Sequence, residues 1–305
     1  MSNSDFVFDT PPKMLYKFTS FEGALNILMG NKIYFAKLSQ LNDPYEGMYG
    51  GMIFDLSTIE KREIFIENVK KKAIESGINW AIDKNQEQAI MNNPENINKF
   101  PDIMANEFLE NFLGVCCLTD ACQSLLMWAH YADSHTGCCL VFDFSKYLDQ
   151  REEERFPFQH IKQITYQDSL PMHDMYRIWH YYAYKSCEWN YEHEWRVVMF
   201  EKNASQVYSS PFLVKESNGS GLYPLGDFLC GVILGNKMTP DDKETIMAVA
   251  RQRGIFVQQA SLELYKYRIC LTEVKLENPT KWHRLKMMLI RMGWKCGLTI
   301  RRIRM

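Results

Sequence analysis

The alternation of apolar and polar positions predicts a sheet built from short strands. Short apolar or alternating runs, each bounded by turn residues, recur along the chain and are typical of strands. The predicted strands cover residues 13–19, 32–36, 114–118, 138–142, 161–166, 195–200, 228–234, 257–262 and 265–272. Helical spacing after Ser20 and over 124–130, 172–186 and 240–253 predicts helices between them. Together these elements predict an α+β fold, with a mixed β-sheet core and helices on its faces.

Residues 56–112 have a polar helical pattern that differs from the strands around them. Groups of lysine and arginine alternate with acidic stretches, as is typical of solvated helix faces. The pattern predicts two or three helices, with breaks at Gly77 and around 92–94. We therefore expect an inserted helical region within one α+β domain that covers residues 1–278.

The composition changes after Pro279. Residues 281–304 contain eight lysines and arginines and no acidic residue, with tryptophans, leucines and methionines between them. A basic amphipathic segment of this kind could bind nucleic acid or lie on anionic lipid. The simpler alternative is a terminal helix that packs its apolar face on the domain. Residues 279–305 are therefore predicted to form a basic C-terminal extension.

Composition narrows the class of protein without naming a reaction. The 305 residues are 46% apolar and carry a net charge of −2. This charge argues against a protein that binds nucleic acid over most of its surface. No leader pattern and no long uncharged apolar run is present, so we expect a cytoplasmic protein without a transmembrane segment. The nine cysteines are irregularly spaced and form no CxxC pair, which predicts buried reduced thiols and no structural zinc site.

The segment 125–143 has the highest density of polar aromatic residues next to a turn. It places Trp128, His130, Tyr131 and His135 between an apolar run and a predicted strand. Such a segment could form the wall of a pocket, in which His130 would orient a substrate or transfer a proton. The alternative is that Trp128 and Tyr131 pack in the core while the histidines lie on a solvated loop.

Two further segments carry candidate polar groups. The loop 41–47 reads LNDPYEG, in which Asn42, Asp43 and Glu46 could face one pocket or simply cap a turn. At the predicted strand 195–200, alternation places Glu192, Glu194 and Arg196 on one face of an extended chain. Glu194 is a candidate catalytic carboxylate, and Arg196 could bind a phosphate or keep Glu194 ionised. The alternative is an exposed ladder in which Arg196 neutralises the two glutamates.

Five stretches together resemble an uncharacterised bacterial family, domain of unknown function 2971. They are LYKFTSFEGALNIL at 15–28, KIYFAKLSQLNDPYEG at 32–47, MWAHYADSHTGCCLVFD at 127–143, KSCEWNYEHEWR at 185–196 and GVILGNKMT at 231–239. This resemblance implies no reaction. Residues 56–112 and the basic extension lie outside it.

The order of these elements resembles, more distantly, DNA-targeting ADP-ribosyltransferase toxins. That resemblance implies NAD as the cofactor, a nucleic acid or protein target, and a role in phage defence or as a toxin. It implies that Tyr16, Lys17 and Thr19 of the first strand hold NAD together with Tyr131. It also implies that Glu194 stabilises the oxocarbenium-like ribose as nicotinamide leaves. Lys17 departs from the pattern, because many relatives have histidine or arginine there. The same reading places Asn42, Asp43, Trp128 and Arg196 around the bound nucleotide.

Two other classes of function remain open. A metal-dependent nuclease or hydrolase could use Asp43, Glu46, His130, His135 and Glu194, although no recognised ligand spacing links them. A non-catalytic domain could instead sense a nucleotide or nucleic acid through a polar aromatic pocket. Loss of NAD consumption in Glu194→Gln would support the transferase, and loss of activity with a chelator would support the metal enzyme.

Overall fold

The computed structural model describes residues 9–47, 56–75, 84–92, 113–171, 182–200 and 219–275. The chain divides into two compact units, each assembled from separated stretches. The first unit comprises Met1–Pro11, Ile33–Cys117 and Arg151–Tyr223. The second unit comprises Pro12–Lys32, Leu118–Gln150 and Pro224–Met305.

The second unit combines a mixed sheet with helices. Its strands are β1 (Met14–Thr19), β4 (Cys138–Asp143), β10 (Leu229–Leu234), β11 (Phe256–Leu262) and β12 (Ile269–Glu273), and its helices are α1 (Phe21–Gly30), α4 (Leu125–Tyr131) and α5 (Pro240–Arg253). The strands lie in the order β12, β11, β10, β4, β1. Only β10 and β11 are parallel among these neighbours, and the other pairs are antiparallel. This arrangement confirms the predicted α+β class.

The helices of the second unit begin and end at the residues that the sequence indicates. Ser20 caps α1, since its side chain accepts the N–H of Gly23 at 3.1 Å. Thr239 caps α5 in the same way, with Pro240 at the first helical position. Arg253 at the end of α5 donates to the carbonyl oxygen of Leu28 at 2.9 Å, which ties α5 to α1.

The first unit contains shorter strands and a pair of helices. The elements that lie wholly or mostly in it are β2 (Lys32–Phe35), α2 (Ile59–Glu75), α3 (Lys84–Asn92), β3 (Leu113–Thr119), β5 (Ile161–Gln163), β6 (Thr165–Gln167), β7 (Tyr184–Ser186), β8 (Glu194–Phe200) and β9 (Gly221–Pro224). Strand β8 lies between β3 and β5, while β2 pairs with β9 and β6 pairs with β7. Leu56, Ile66 and Ile90 form a small core between α2 and α3, as expected for a helical insertion.

Buried apolar runs position the central strands of each unit. Most residues of β3 and β4 are buried, and both strands read as continuous apolar segments. The eight described cysteines are all free thiols, which agrees with the prediction of reduced cysteines. The prediction of burial holds for three of them, Cys116, Cys138 and Cys139, whereas four are partly buried and Cys187 is exposed.

Three predicted elements differ in the structure. The strand expected over 265–272 begins only at Ile269, because residues 263–268 form the turn between β11 and β12. The single strand expected over 161–166 is divided at Ile164 into β5 and β6, because β5 pairs with β8 whereas β6 pairs with β7. The helix expected over 172–186 does not extend to residue 186, because Tyr184–Ser186 form β7, which pairs in parallel with β6. Residues 172–181 of that predicted helix, and the extension 279–305, lie outside the described residues. No described helix has the length and apolar character that a membrane span requires.

Candidate functional site

The first unit holds a group of charged side chains that we call the buried charge cluster. It consists of Glu46, Lys185, Glu192, Glu194 and Arg196, none of whose side chains is more than 5% exposed. Charges are rarely removed from water unless they are paired, and each member here has an oppositely charged neighbour. The five side chains sum to one negative charge.

Arg196 lies at the centre of this cluster and uses its whole guanidinium. Its Nη1 and Nη2 atoms donate to the two carboxylate oxygens of Glu46, both at 2.6 Å. Its Nε and Nη2 atoms donate to the two oxygens of Glu194 at 2.7 and 3.0 Å. Nη1 also donates to the carbonyl oxygen of Tyr182 at 2.7 Å. Because a guanidinium has five N–H groups, these five contacts fill its donor capacity.

Lys185 is the second cation of the cluster and approaches all three carboxylates. Its Nζ donates to Glu192 at 2.5 Å and to Glu194 at 3.3 Å, and it lies 3.7 Å from Glu46. The same Nζ lies 4.6 Å from the centre of the Trp189 ring, within the range of a cation–π contact. Lys185 therefore connects Glu192 with Glu46 and Glu194, the two carboxylates that Arg196 binds.

The electrostatics keep the cluster ionised. Burial acts to raise the pKa of Glu194, but the charges of Arg196 and Lys185 outweigh it and lower that pKa to about 2. Burial acts to lower the pKa of Lys185, yet the neighbouring Glu194 and Glu192 raise it above its ordinary value. At neutral pH, Glu194 is thus a carboxylate that can stabilise positive charge but has no proton to donate.

A tight turn before β8 brings Glu192 beside Glu194. Residues Cys187–Glu192 form a 3₁₀ helix that Ser186 caps, and His193 follows it in the left-handed region at φ 45°. Glu194 then begins β8, where its N–H donates to the hydroxyl of Tyr166 at 2.8 Å. The prediction that Glu194 and Arg196 share one face of an extended chain is confirmed, whereas it is wrong for Glu192, which lies in the 3₁₀ helix and joins the cluster through Lys185. The alternative of an exposed ladder is wrong about exposure, because the structure buries all three residues.

Residues 41–47, which we call the NDP loop, form a capped turn. Asp43 is buried, and its Oδ1 accepts the N–H of Tyr45 at 2.9 Å. Asn42 is exposed, whereas the Glu46 carboxylate enters the buried charge cluster. The three polar residues of this loop are therefore directed to different surroundings.

The second unit holds the other candidate region, residues 124–137, which we call the polar aromatic segment. Trp128 of α4 is fully buried, donates from Nε1 to the carbonyl oxygen of Cys122 at 2.9 Å, and packs edge-on against Phe18. His130 is exposed and Tyr131 is half-buried, with their ring centres 6.3 Å apart. The core placement of Trp128 is confirmed, whereas the side chains of His130 and Tyr131 have access to solvent.

The turn that follows α4 has an unusual backbone. Asp133, Ser134 and His135 are consecutive residues in the left-handed region, with φ angles of 47°, 53° and 73°. Such conformations are costly for residues other than glycine and are found most often at functional sites. The His135 ring stacks on Trp128 with centres 6.4 Å apart. Burial, helped by the charge of Lys237, lowers the pKa of His135, so its imidazole is neutral at pH 7.

Strand β1 is held close to this turn by small residues. Thr19 lies opposite Cys138, and a methyl group at Gly137 would overlap the carbonyl oxygen of Thr19. Tyr16 is half-buried, and burial together with a hydrogen bond to the Cys122 side chain raises its pKa. Lys17, also half-buried, lies opposite Leu140. The structure therefore brings the end of β1 together with the polar aromatic segment.

Each unit groups some of the predicted site residues. The first unit places Glu194 and Arg196 in direct contact, and the second places Tyr16 and Thr19 near the elements that carry Trp128. Sequence reasoning missed Lys185 as a partner of the glutamates and the carbonyl oxygen of Tyr182 as a partner of Arg196. The signal for Lys185 was available, because a cation precedes three glutamates in the segment 185–194. Within the described ranges, no group of three acidic, histidine or cysteine side chains could hold a metal ion.

One comparison with known proteins gives a match. The family model for a protein of unknown function (DUF2971) matches residues 127–197. That stretch contains Trp128, His130, Tyr131, Glu194 and Arg196. No curated protein and no solved structure matches the chain.

Proposed function

We propose that this protein is an NAD-dependent enzyme similar to ADP-ribosyltransferases, in which Glu194 acts on the ribose of NAD. The observation that supports this proposal is the buried charge cluster, where two cations hold Glu194 ionised. Buried ion pairs add little net stability, whereas strongly perturbed titratable groups concentrate at functional sites. A role in chemistry therefore accounts for the desolvation of five charges better than stability alone.

The chemistry requires a fixed negative charge. When nicotinamide leaves NAD, positive charge develops on the ribose, and a preorganised carboxylate stabilises it. Glu194 meets this requirement in three respects: it is ionised, both its oxygens are oriented by Arg196, and its cluster carries one excess negative charge. In this proposal Arg196 and Lys185 are positioning residues, since they touch Glu194.

The test measures nicotinamide release. Full-length protein is incubated with NAD and, in parallel, with single-stranded DNA, duplex DNA, RNA or no acceptor. Released nicotinamide is quantified by chromatography, and ADP-ribose adducts are identified by mass spectrometry. We expect release by the wild type and a loss of at least about a hundredfold in Glu194→Gln, the order expected when an electrostatic stabiliser is removed.

Matched variants separate chemistry from folding. Glu188→Gln makes the same change at an exposed glutamate of the same segment and should leave release unchanged. Because Glu194→Gln also disturbs the cluster, circular dichroism establishes that this variant is folded before its release of nicotinamide is measured. The proposal fails if no acceptor supports release by the wild type, or if folded Glu194→Gln releases nicotinamide at the wild-type rate.

A non-catalytic nucleotide-binding domain is the second candidate. The observation in its favour is that Arg196 and Glu194 satisfy each other's hydrogen bonds within the cluster. This candidate predicts saturable binding of NAD or another nucleotide by calorimetry, with no release of nicotinamide. Lys17→Met should then weaken binding, while Glu194→Gln should not affect it in protein that remains folded.

A further inference from the structure

The turn between β11 and β12 places apolar side chains fully in water. We call residues 262–268, LELYKYR, the hairpin tip. Tyr265 and Tyr267 are completely exposed, and Leu264 and Leu262 are 79% and 55% exposed. Isolated exposed apolar residues are ordinary, but four within six positions form a patch of the kind that marks an interaction site.

The hairpin tip is an ordered structure. The N–H of Glu263 donates to the carbonyl oxygen of Arg268 at 2.9 Å, and the N–H of Arg268 donates to the carbonyl oxygen of Lys266 at 2.8 Å. Tyr265 adopts a left-handed conformation with φ 66°, which is uncommon for a bulky residue. Neither the exposure of these side chains nor this backbone geometry favours folding, so the tip is better explained by a partner than by stability.

The charges of the tip are basic but partly neutralised. Lys266 and Arg268 are each more than 60% exposed. Glu263 lies 2.7 Å from Lys266 and 3.8 Å from Arg268, so the three side chains sum to one positive charge. Affinity for nucleic acid depends mainly on the number of phosphates that are neutralised, and one net charge supplies little of it. Base stacking would also leave the two leucines in water.

From this combination we infer that the hairpin tip docks on an anionic lipid bilayer. Leucine side chains enter the acyl boundary, and tyrosine rings are favoured at the level of the head groups. Lys266 and Arg268 can extend towards lipid phosphates while their alkyl stems remain against the apolar layer. The leucines, tyrosines and basic residues of the tip all find suitable surroundings at such a surface. The inference is independent of the proposed reaction.

The experiment is vesicle sedimentation with full-length protein. Vesicles of phosphatidylcholine alone are compared with vesicles that also contain phosphatidylserine. We expect the protein to sediment with the anionic vesicles, and Leu264→Gln combined with Tyr265→Asn to weaken partitioning roughly tenfold or more. Asparagine tolerates the left-handed conformation of position 265, so this variant should fold, as circular dichroism can verify. Lys266→Glu combined with Arg268→Glu should remove the preference for anionic lipid.

Leu222→Gln is the matched control, because Leu222 is 64% exposed but lies on β9. It should sediment like the wild type. The inference is overturned if the wild type binds neither kind of vesicle, or if the Leu264 and Tyr265 variant binds as tightly as the wild type. A third outcome also overturns it. In that outcome no protein binds vesicles, and the wild type binds a labelled single-stranded oligonucleotide that the Leu264 and Tyr265 variant does not bind.

Discussion

The buried charge cluster of the first unit and the polar aromatic segment of the second both contain residues predicted to be functional, yet the side chains of the two have opposite surroundings. In the cluster, every charged side chain is removed from water and bonded to another. In the polar aromatic segment, Trp128 is buried, whereas His130 extends into solvent. The charges of the cluster therefore interact mainly with one another, while the segment presents polar groups from a backbone in the left-handed region.

This difference predicts that removing a cation from the cluster has the largest effect on stability. Arg196→Leu leaves Glu46 and Glu194 buried without their main counterion, and we expect a loss of about 3–5 kcal/mol in the free energy of unfolding. Urea denaturation followed by circular dichroism measures it. Arg268→Leu, at an exposed arginine of the second unit, should change the same free energy by less than about 0.5 kcal/mol. Equal effects of the two changes would show that the cluster does not stabilise the first unit.

The second-largest effect on the free energy of unfolding is expected from acid, which protonates Glu194 of the cluster. The pKa of Glu194 is about 2 in the folded protein and ordinarily 4.5, so its contribution is present above pH 4.5 and is lost as the pH falls towards 2. That contribution is on the order of 3 kcal/mol. Denaturation series between pH 7 and pH 2 measure it. Glu194→Gln should flatten the pH dependence, and Glu188→Gln should leave it unchanged. An identical acid limb in wild type and Glu194→Gln would contradict the assignment.

The smallest effect concerns the close approach of β1 to the polar aromatic segment. Gly137→Ala forces a methyl group against the Thr19 carbonyl oxygen, and we expect a destabilisation of about 1–3 kcal/mol. Gly30→Ala is the matched control, because no atom lies within 4 Å of its added methyl group. At the end of α1 it should stabilise the protein by up to about 1 kcal/mol. Thermal denaturation compares the two variants, and a neutral Gly137→Ala would show that the turn can move.

Much of the fold could be predicted because local signals and tertiary packing agree. The caps Ser20, Ser124 and Thr239 each precede a helix that forms where expected, and β3, β4 and β10 follow apolar runs. Prediction failed at Tyr184–Ser186, where pairing with β6 and the ion pairs of Lys185 override the aromatic helical spacing. Alternation placed Glu194 and Arg196 on one face correctly, but it carries no information on burial. The contact with Glu46, 150 residues away, could not be read from local pattern.

The distance along the chain between Glu46 and Arg196 has a consequence for synthesis on the ribosome. Glu46 leaves the ribosome long before Arg196 is translated, an interval of roughly 10–30 s at ordinary elongation rates. During this time the nascent chain must keep its NDP loop hydrated, since the loop lacks the guanidinium that later encloses its carboxylate. The first unit is consequently expected to close late in translation, when the arginine arrives.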